Sequence, residues 1–173
     1  MQASEILFYV FGVLAVAFSL MVVMGKNPIA SAFSLIIVFF CLAANYALLG
    51  AHFLAALQIL VYAGAIMVLF VFVIMLLNAD IRNLDLGKSF AFQAAAGLAC
   101  LVLLGTFAWA VVNGHVSSER FGFTDERIAA LGGNVRSVSE LMFSDYILPF
   151  ELTSVLLLVG IAGSVALAKR KQS

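Results

Sequence analysis

Five apolar stretches, each about as long as a membrane-spanning helix, alternate with shorter polar segments along this chain. A helix needs about 20 predominantly apolar residues to cross a hydrocarbon core about 30 Å thick. The pattern therefore predicts an all-α polytopic membrane protein that forms one membrane domain over residues 1–173. The five predicted spans cover residues 5–24, 30–50, 54–77, 90–112 and 147–168.

The polar segments between the spans restrict how the helices are arranged. The link at 50–53 is so short that spans two and three must be antiparallel neighbours. Only one polar segment, 113–146, is long, and it ends in the sequence Ser137-Val138-Ser139-Glu140. A serine followed by a glutamate three residues later is typical of a helix N-terminus. We therefore expect a short surface helix capped by this sequence.

The third span is uncharged but is interrupted at its centre by small residues. Gly64 lies near the middle of the run 53–77, between Ala63 and Ala65. A glycine inside a helix costs about 1 kcal/mol relative to alanine. Two interpretations are open: the small patch lets a neighbouring helix approach closely, or the helix changes its winding there.

Composition and charge support the membrane assignment and predict an orientation. The chain is 65% hydrophobic and only 10% charged, which is typical of a polytopic membrane protein. Its net charge of zero argues against a nucleic-acid partner. The positive-inside rule predicts an external N-terminus, an external loop 113–146 and a cytoplasmic C-terminus. The basic residues assigned to the cytoplasm are Lys26, Arg82, Lys88, Lys169, Arg170 and Lys171.

The chain lacks the residues that a redox centre or an autonomous ion carrier requires. His52 lies in a turn and His115 in the long loop, so no pair of haem ligands faces across two spans. Cys41 and Cys100 lie inside apolar runs without the spacing of a metal site. No P-loop or dinucleotide-binding motif is present. We therefore predict no catalytic, cofactor-binding or metal-binding residue in this chain, which is expected to be part of a larger assembly.

Three polar residues in or near the spans have two interpretations each. Gln58 and Tyr62 lie four residues apart on span three and therefore share a face. They either hydrogen-bond across a helix interface or border a water-filled or switching region. Glu151 follows Pro149 in the first turn of span five, where a helix N-terminus favours a carboxylate. The alternative for Glu151 is a carboxylate that faces a partner or handles protons.

Three segments resemble subunit J of NADH:quinone oxidoreductase (respiratory complex I), a family also called chain 6 of NADH dehydrogenase. They are Asn27-Pro28 at the start of span two, FLAALQILVYAGAIMVLFVFVIMLLN at 53–78 and YILPFELTSVLLLVGIAGSVALA at 146–168. The stretch VYAGAIMVLF is the most specific of these, and residues 85–145 add little.

The resemblance implies a non-redox subunit of a proton-translocating enzyme. Family members sit in the membrane arm near the quinone-binding end, in the lipid bilayer beside subunits A, H, K and N. FMN, the iron–sulfur clusters, NADH and quinone are bound by other subunits. The expected location is the bacterial plasma (inner) membrane, and the mitochondrial inner membrane is the alternative.

The resemblance also implies a conformational site in the third helix. Family members carry a π-bulge there that converts to regular α winding, and the matching positions are Tyr62, Gly64 and Val68. The α form is associated with a water path between carboxylates of partner subunits. The implied function is gating of the coupling between quinone reduction and proton translocation.

Elementary helix geometry adds a candidate gate downstream of this site. Converting a π-bulge to α winding rotates the rest of the helix by about 100°, the turn of one residue. Phe70 and Phe72 would then swing into or out of a neighbouring gap. Two other functions stay open: a purely structural membrane-arm subunit, and a subunit of a related multi-subunit cation/proton antiporter.

Overall fold

The computed structural model describes residues 3–77, 90–114 and 125–169, and the regular secondary structure in these ranges is entirely helical. The prediction of an all-α protein is therefore confirmed. The helices, in chain order, are α1 Ala3–Met24, α2 Pro28–Leu48, α3 His52–Leu77, α4 Phe90–Asn113, α5 Asp125–Ala130, α6 Asn134–Ser144 and α7 Ile147–Ala168.

Five of these helices are long and apolar enough to cross a membrane. They are α1, α2, α3, α4 and α7, and their ends lie within two residues of the predicted spans. The number and placement of the predicted spans are confirmed, because apolar length alone determines both. The predicted orientation in the membrane stays a prediction.

The start of α2 is set by its cap. Asn27 has an extended backbone, and its side-chain Oδ1 accepts hydrogen bonds from the amides of Ile29, at 3.0 Å, and Ala30, at 3.5 Å. Pro28 occupies the first helical position, where its missing N–H leaves no bond unmade. An asparagine cap of this kind stabilises a helix by about 1 kcal/mol.

A glycine turn makes α2 and α3 antiparallel neighbours, as the short link predicts. Gly50 has φ +77°, and its amide donates to Ala47 O at 3.1 Å. The amide of Ala51 donates to Tyr46 O at 2.9 Å. These two bonds form a Schellman motif, which ends α2 and satisfies two of its last carbonyl groups. The chain then enters α3 directly.

The packed part of the fold is formed by α1, α2 and α3, and α6 contacts both α3 and α7. Small side chains dominate its buried positions, which lets the helix axes approach closely. In contrast, the described side chains of α4 and all those of α7 are exposed in this isolated chain. The buried apolar residues are Ala15, Ala32, Val38, Cys41, Ala43, Ala55, Ala63 and Met67.

The surface helix in the long polar segment is present, but its predicted cap is wrong. The N-cap of α6 is Gly133, and no side chain caps this end. Ser137 is instead buried inside the helix, where its Oγ donates to Gly133 O at 3.0 Å. Gly132 and Gly133 have φ of +92° and +107°, so the chain reverses before Asn134. The helix therefore begins one turn earlier than the Ser137–Glu140 pattern suggests.

Candidate functional site in the third span

The centre of α3 is wound differently from its two ends. Residues Gln58–Ile66 form a nine-residue π-helical segment between the α-helical turns His52–Leu57 and Met67–Leu77. At the end of this segment the amide of Met67 donates to Tyr62 O, five residues back rather than four. π-helical segments are rare in proteins overall, and those that occur are often found at functional sites.

Five of the candidate residues lie inside the π segment: Gln58, Tyr62, Ala63, Gly64 and Ala65. The resemblance places the bulge at Tyr62–Val68, whereas the π winding in the structure spans Gln58–Ile66. Val68 lies two residues beyond this segment, in the α-helical end of the span. Gln58 is thus the first residue of the segment rather than a residue that precedes it.

The π winding determines which side chains of α3 face the packed interior. Gln58 is 7% exposed and Ala63 is 5% exposed, although the two lie five residues apart. Five residues of an α-helix turn the chain through 500°, which would leave these side chains about 140° apart. The wider π turn instead keeps both buried. Met67, four residues after Ala63, continues the same face and is 3% exposed.

Gly64 lies where the π segment leaves little room for a side chain. A Cβ built on Gly64 would lie 3.1 Å from the carbonyl oxygen of Ile59. This oxygen belongs to the helix backbone, so only a shift of the main chain can relieve the contact. On α4 and α7, an added Cβ at any glycine meets no side chain and no neighbouring helix within 4 Å. At Gly64 the close contact is with the backbone of the preceding turn of its own helix.

Tyr62 lies at the edge of the contact between α2 and α3. Its ring centroid is 5.7 Å from that of Phe39, and the two ring planes are tilted by 60°. The side chain is 48% exposed, in contrast to the buried Gln58. The two residues are thus both near α2, but only Gln58 is enclosed.

Two asparagine side-chain oxygens differ in whether they accept a hydrogen bond. Asn45 Oδ1, in the last turn of α2, is buried and has no hydrogen-bond partner among the described residues. Asn134 Oδ1, at the start of α6, accepts a hydrogen bond of 3.1 Å from the amide of Phe53 in the first turn of α3. No local sequence pattern indicates the role of Asn134, because 81 residues separate the two partners.

The remaining candidate residues are not gathered at the π segment. Phe70 and Phe72, in the α-helical end of α3, are each about half exposed, at 47% and 51%. Glu151 is exposed in the second turn of α7, and α7 does not contact α3 within the described part of the chain. The structure therefore places Glu151 at a different surface.

The π segment carries two polar side chains, Gln58 and Tyr62, and no charged residue. The π segment contains no ionisable side chain except the phenol of Tyr62. Across residues 3–77, 90–114 and 125–169, no group of three or more His, Cys, Asp or Glu side chains could hold a metal ion. What the arrangement offers is a buried amide, a tight glycine and a change of winding inside an uncharged span.

The all-helical fold with five potential spans defines the class of this protein as a polytopic membrane protein. Comparison with known proteins identifies the family. Residues 18–167 match the family NADH-ubiquinone/plastoquinone oxidoreductase chain 6. The chain belongs to this family, which confirms the resemblance.

Relatives from chloroplasts and bacteria support this membership. The chain is 36% identical to the chloroplastic NAD(P)H-quinone oxidoreductase subunit 6 of Physcomitrium patens, over 97% of this chain and 85% of that protein. It is 32% identical to NADH-quinone oxidoreductase subunit J of Rhodobacter capsulatus, over 96% and 82%. For subunit J of Rickettsia felis the identity is 33%, over 96% and 81%. The similarity thus covers nearly the whole chain.

Proposed function

We propose that this chain is a membrane-arm subunit of a proton-translocating NADH:quinone oxidoreductase, and that α3 gates the coupling of quinone reduction to proton translocation. The membership in the chain 6 family and the five potential spans support the first part. The gating role is supported mainly by one observation, the nine-residue π segment at the centre of an uncharged span.

The packing of the π segment gives this role a physical basis. In the π form, Gln58 and Ala63 are both buried. Rewinding to α removes one residue from the turn, so these side chains cannot both stay on the same face. If the helix rewinds as proposed, it has two packings, each with a different set of groups towards α2. A two-state element of this kind is what a gate requires.

The same rewinding moves the distal half of the span. Residues beyond the π segment turn by about 100° relative to those before it. Phe70 and Phe72 are about half exposed and lie in this half, so their rings would move through the space beside α3. We propose that they close or open a hydrophobic constriction for water beside this chain.

Cofactors and partners follow from the same proposal. This chain would bind no cofactor itself, and FMN, iron–sulfur clusters, NADH and quinone would be held by other subunits. The exposed surfaces of α4 and α7 would meet lipid and neighbouring subunits, among them A, H, K and N. Glu151 on α7 would then face a partner. The proposed location is the bacterial inner membrane.

Copurification tests the assignment to the complex. The tagged chain, purified from membranes in a mild detergent, should bring down inhibitor-sensitive NADH:quinone reductase activity. Recovery of the chain without flavoprotein, iron–sulfur proteins or activity, from membranes whose complexes are intact, would contradict it. Proton or sodium transport by the purified chain alone in liposomes would instead favour the antiporter alternative.

A purely structural role is the second candidate, and the small buried residues favour it. Ala32, Ala43 and Ala55 allow close helix packing, which also serves assembly alone. Under this alternative, harmful substitutions in α3 remove the intact complex from a native gel. Under the gating proposal, the complex assembles but loses coupling.

A further inference from the structure

The N-terminal end of α3 is tied to a helix that is distant in sequence. The amide of Phe53 donates to Asn134 Oδ1 at 3.1 Å, across 81 residues of chain. Asn134 is the first residue of α6 and is half-buried. Ser137, three residues further on and on the same face of α6, is buried. α6 is therefore seated against α3 with Asn134 on its inner face.

The bond from Asn134 caps the N-terminus of α3, because the sequence of α3 itself supplies no capping side chain. The first amides of a helix have no partner within the helix. The N-cap of α3 is Ala51, whose methyl side chain makes no hydrogen bond. Asn134 supplies the missing acceptor from outside the helix. The amide of Ala51 is meanwhile bonded back to α2 through the turn at Gly50.

The two ends of α3 are therefore held very differently. At the N-terminal end lie the Gly50 turn, the bond from Asn134 and the buried Ala55, which is 8% exposed. In the other half, Met67 is buried directly after the π segment, and no side chain from 68 to 77 is buried in this chain. When the middle of a helix rewinds, the end with fewer contacts turns, since turning the other end breaks more bonds.

We propose that Asn134 is a positioning residue that fixes the N-terminal end of α3, so that rewinding of the π segment turns only the half Met67–Leu77. This inference rests on the proposed gating function and adds a part of the long polar segment to it. The segment around α6 is then an anchor for the switching helix rather than a passive connection between spans.

The test uses the complete complex and distances measured with genetically encoded spin labels. Three exposed positions carry the labels: Ile29 on α2, Leu54 before the π segment and Leu76 beyond it. The Ile29–Leu54 distance reports the anchored end, and the Ile29–Leu76 distance reports the turning end. Both are measured at rest and during turnover with NADH and quinone, together with the number of protons translocated per electron.

Four variants separate the tie from general damage to the loop. Asn134→Ala removes the acceptor, and Asn134→Ser keeps a polar side chain that is too short to reach the Phe53 amide. Asn134→Asp retains an acceptor oxygen. Asn113→Ala is the matched control, because Asn113 also makes one side-chain bond, to Trp109 O at 3.0 Å, but lies on α4.

The expected result is specific to the loss of the acceptor. In Asn134→Ala and Asn134→Ser, the Ile29–Leu54 distance should become variable during turnover. Its minor population should rise about three- to tenfold, as expected for loss of one hydrogen bond. The change in the Ile29–Leu76 distance during turnover should become smaller, and the number of protons translocated per electron should fall. Asn134→Asp and Asn113→Ala should behave like the native complex.

Three results would overturn the inference, and they are distinguishable. If both acceptor-less variants keep native distances and proton stoichiometry, Asn134 does not anchor α3, and the gating proposal stands. If the Ile29–Leu76 distance of the native complex is constant during turnover, rewinding itself is refuted, and the anchor has nothing to direct. Loss of stoichiometry with an unchanged Ile29–Leu54 distance would also count against anchoring.

Discussion

Replacement of Gly64 by leucine should uncouple the enzyme without removing the complex. The Cβ of any side chain at Gly64 meets the Ile59 carbonyl at 3.1 Å, so even alanine requires the backbone to yield by a few tenths of an ångström. Leucine adds three further carbons at a half-buried position. Overpacking of this kind costs about 1–3 kcal/mol. The ratio of the π-wound to the α-wound form should therefore fall about fivefold to a hundredfold, since about 1.4 kcal/mol corresponds to a factor of ten.

The assay separates coupling from electron entry. Inhibitor-sensitive NADH:quinone turnover with proton translocation should fall at least about fivefold in Gly64→Leu, in line with the loss of π-wound form. NADH oxidation by an artificial acceptor should stay near the native rate, because it does not need the membrane arm. The coupled turnover of Gly64→Ala should lie between those of the native enzyme and Gly64→Leu. The matched control is Gly105→Leu on α4, a glycine inside an α-wound span where an added Cβ meets no side chain and no neighbouring helix within 4 Å.

Two results would refute this reasoning. Native coupled turnover in an assembled Gly64→Leu complex would show that the tight contact has no role in the cycle. Equal losses in Gly64→Leu and Gly105→Leu would show that bulk anywhere in the spans is harmful. A complex missing from the native gel only in Gly64→Leu would favour the structural alternative.

Three smaller predictions concern the elements that support α3, each measured by amide hydrogen exchange. Gly50→Ala places a side chain at φ +77°, which costs about 1–2 kcal/mol. The amides of the turn should therefore exchange about five- to thirtyfold faster. The control is Gly163→Ala, which adds a methyl group in open space and should not change exchange to a comparable extent. Tyr62→Phe should keep the ring contact with Phe39, and the amides of the π segment should keep their native protection. Tyr62→Ala should remove the ring contact and lower the free energy that protects these amides by about 0.5–1.5 kcal/mol. Asn27→Ala should remove the cap of α2, which is worth about 1 kcal/mol, so the first amides of α2 should exchange about fivefold faster. Asn27→Ser should largely restore the native exchange rate. Unchanged exchange in Gly50→Ala, Tyr62→Ala or Asn27→Ala would contradict the corresponding contact.

The spans were predictable because one physical quantity determines them. A helix that crosses a hydrocarbon core must be apolar over about 20 residues, and this requirement is visible directly in the sequence. The turn between α2 and α3 was also predictable, since a link as short as 50–53 permits only an antiparallel return. Glycine at position 50 then supplies the positive φ that the turn adopts.

The extent of the π segment was not predictable from residue types. Gly64 marks an anomaly, but the hydrogen bonds five residues back are formed equally well by apolar residues of many kinds. The interval between Gln58 and Ala63 fits a buried face only once the winding is known. A search for α-helical periodicity therefore places Gln58 with Tyr62 and misses its pairing with Ala63.

The long polar segment shows a different limit. The serine and glutamate at 137–140 fit a capping pattern, but backbone conformation at Gly132 and Gly133 decides where α6 begins. The role of Asn134 depends on tertiary packing across 81 residues, for which local sequence carries no signal. Both features became visible only with the helices in place.

The most direct test of the gating claim is the Ile29–Leu76 distance in the native complex, at rest and during turnover. A rotation of about 100° at a helix radius of about 5–6 Å displaces a side chain by about 8 Å. Gating by α3 predicts a second distance population that appears with NADH and quinone and disappears with a quinone-site inhibitor. A single unchanged distance in an enzyme that is actively translocating protons would contradict it.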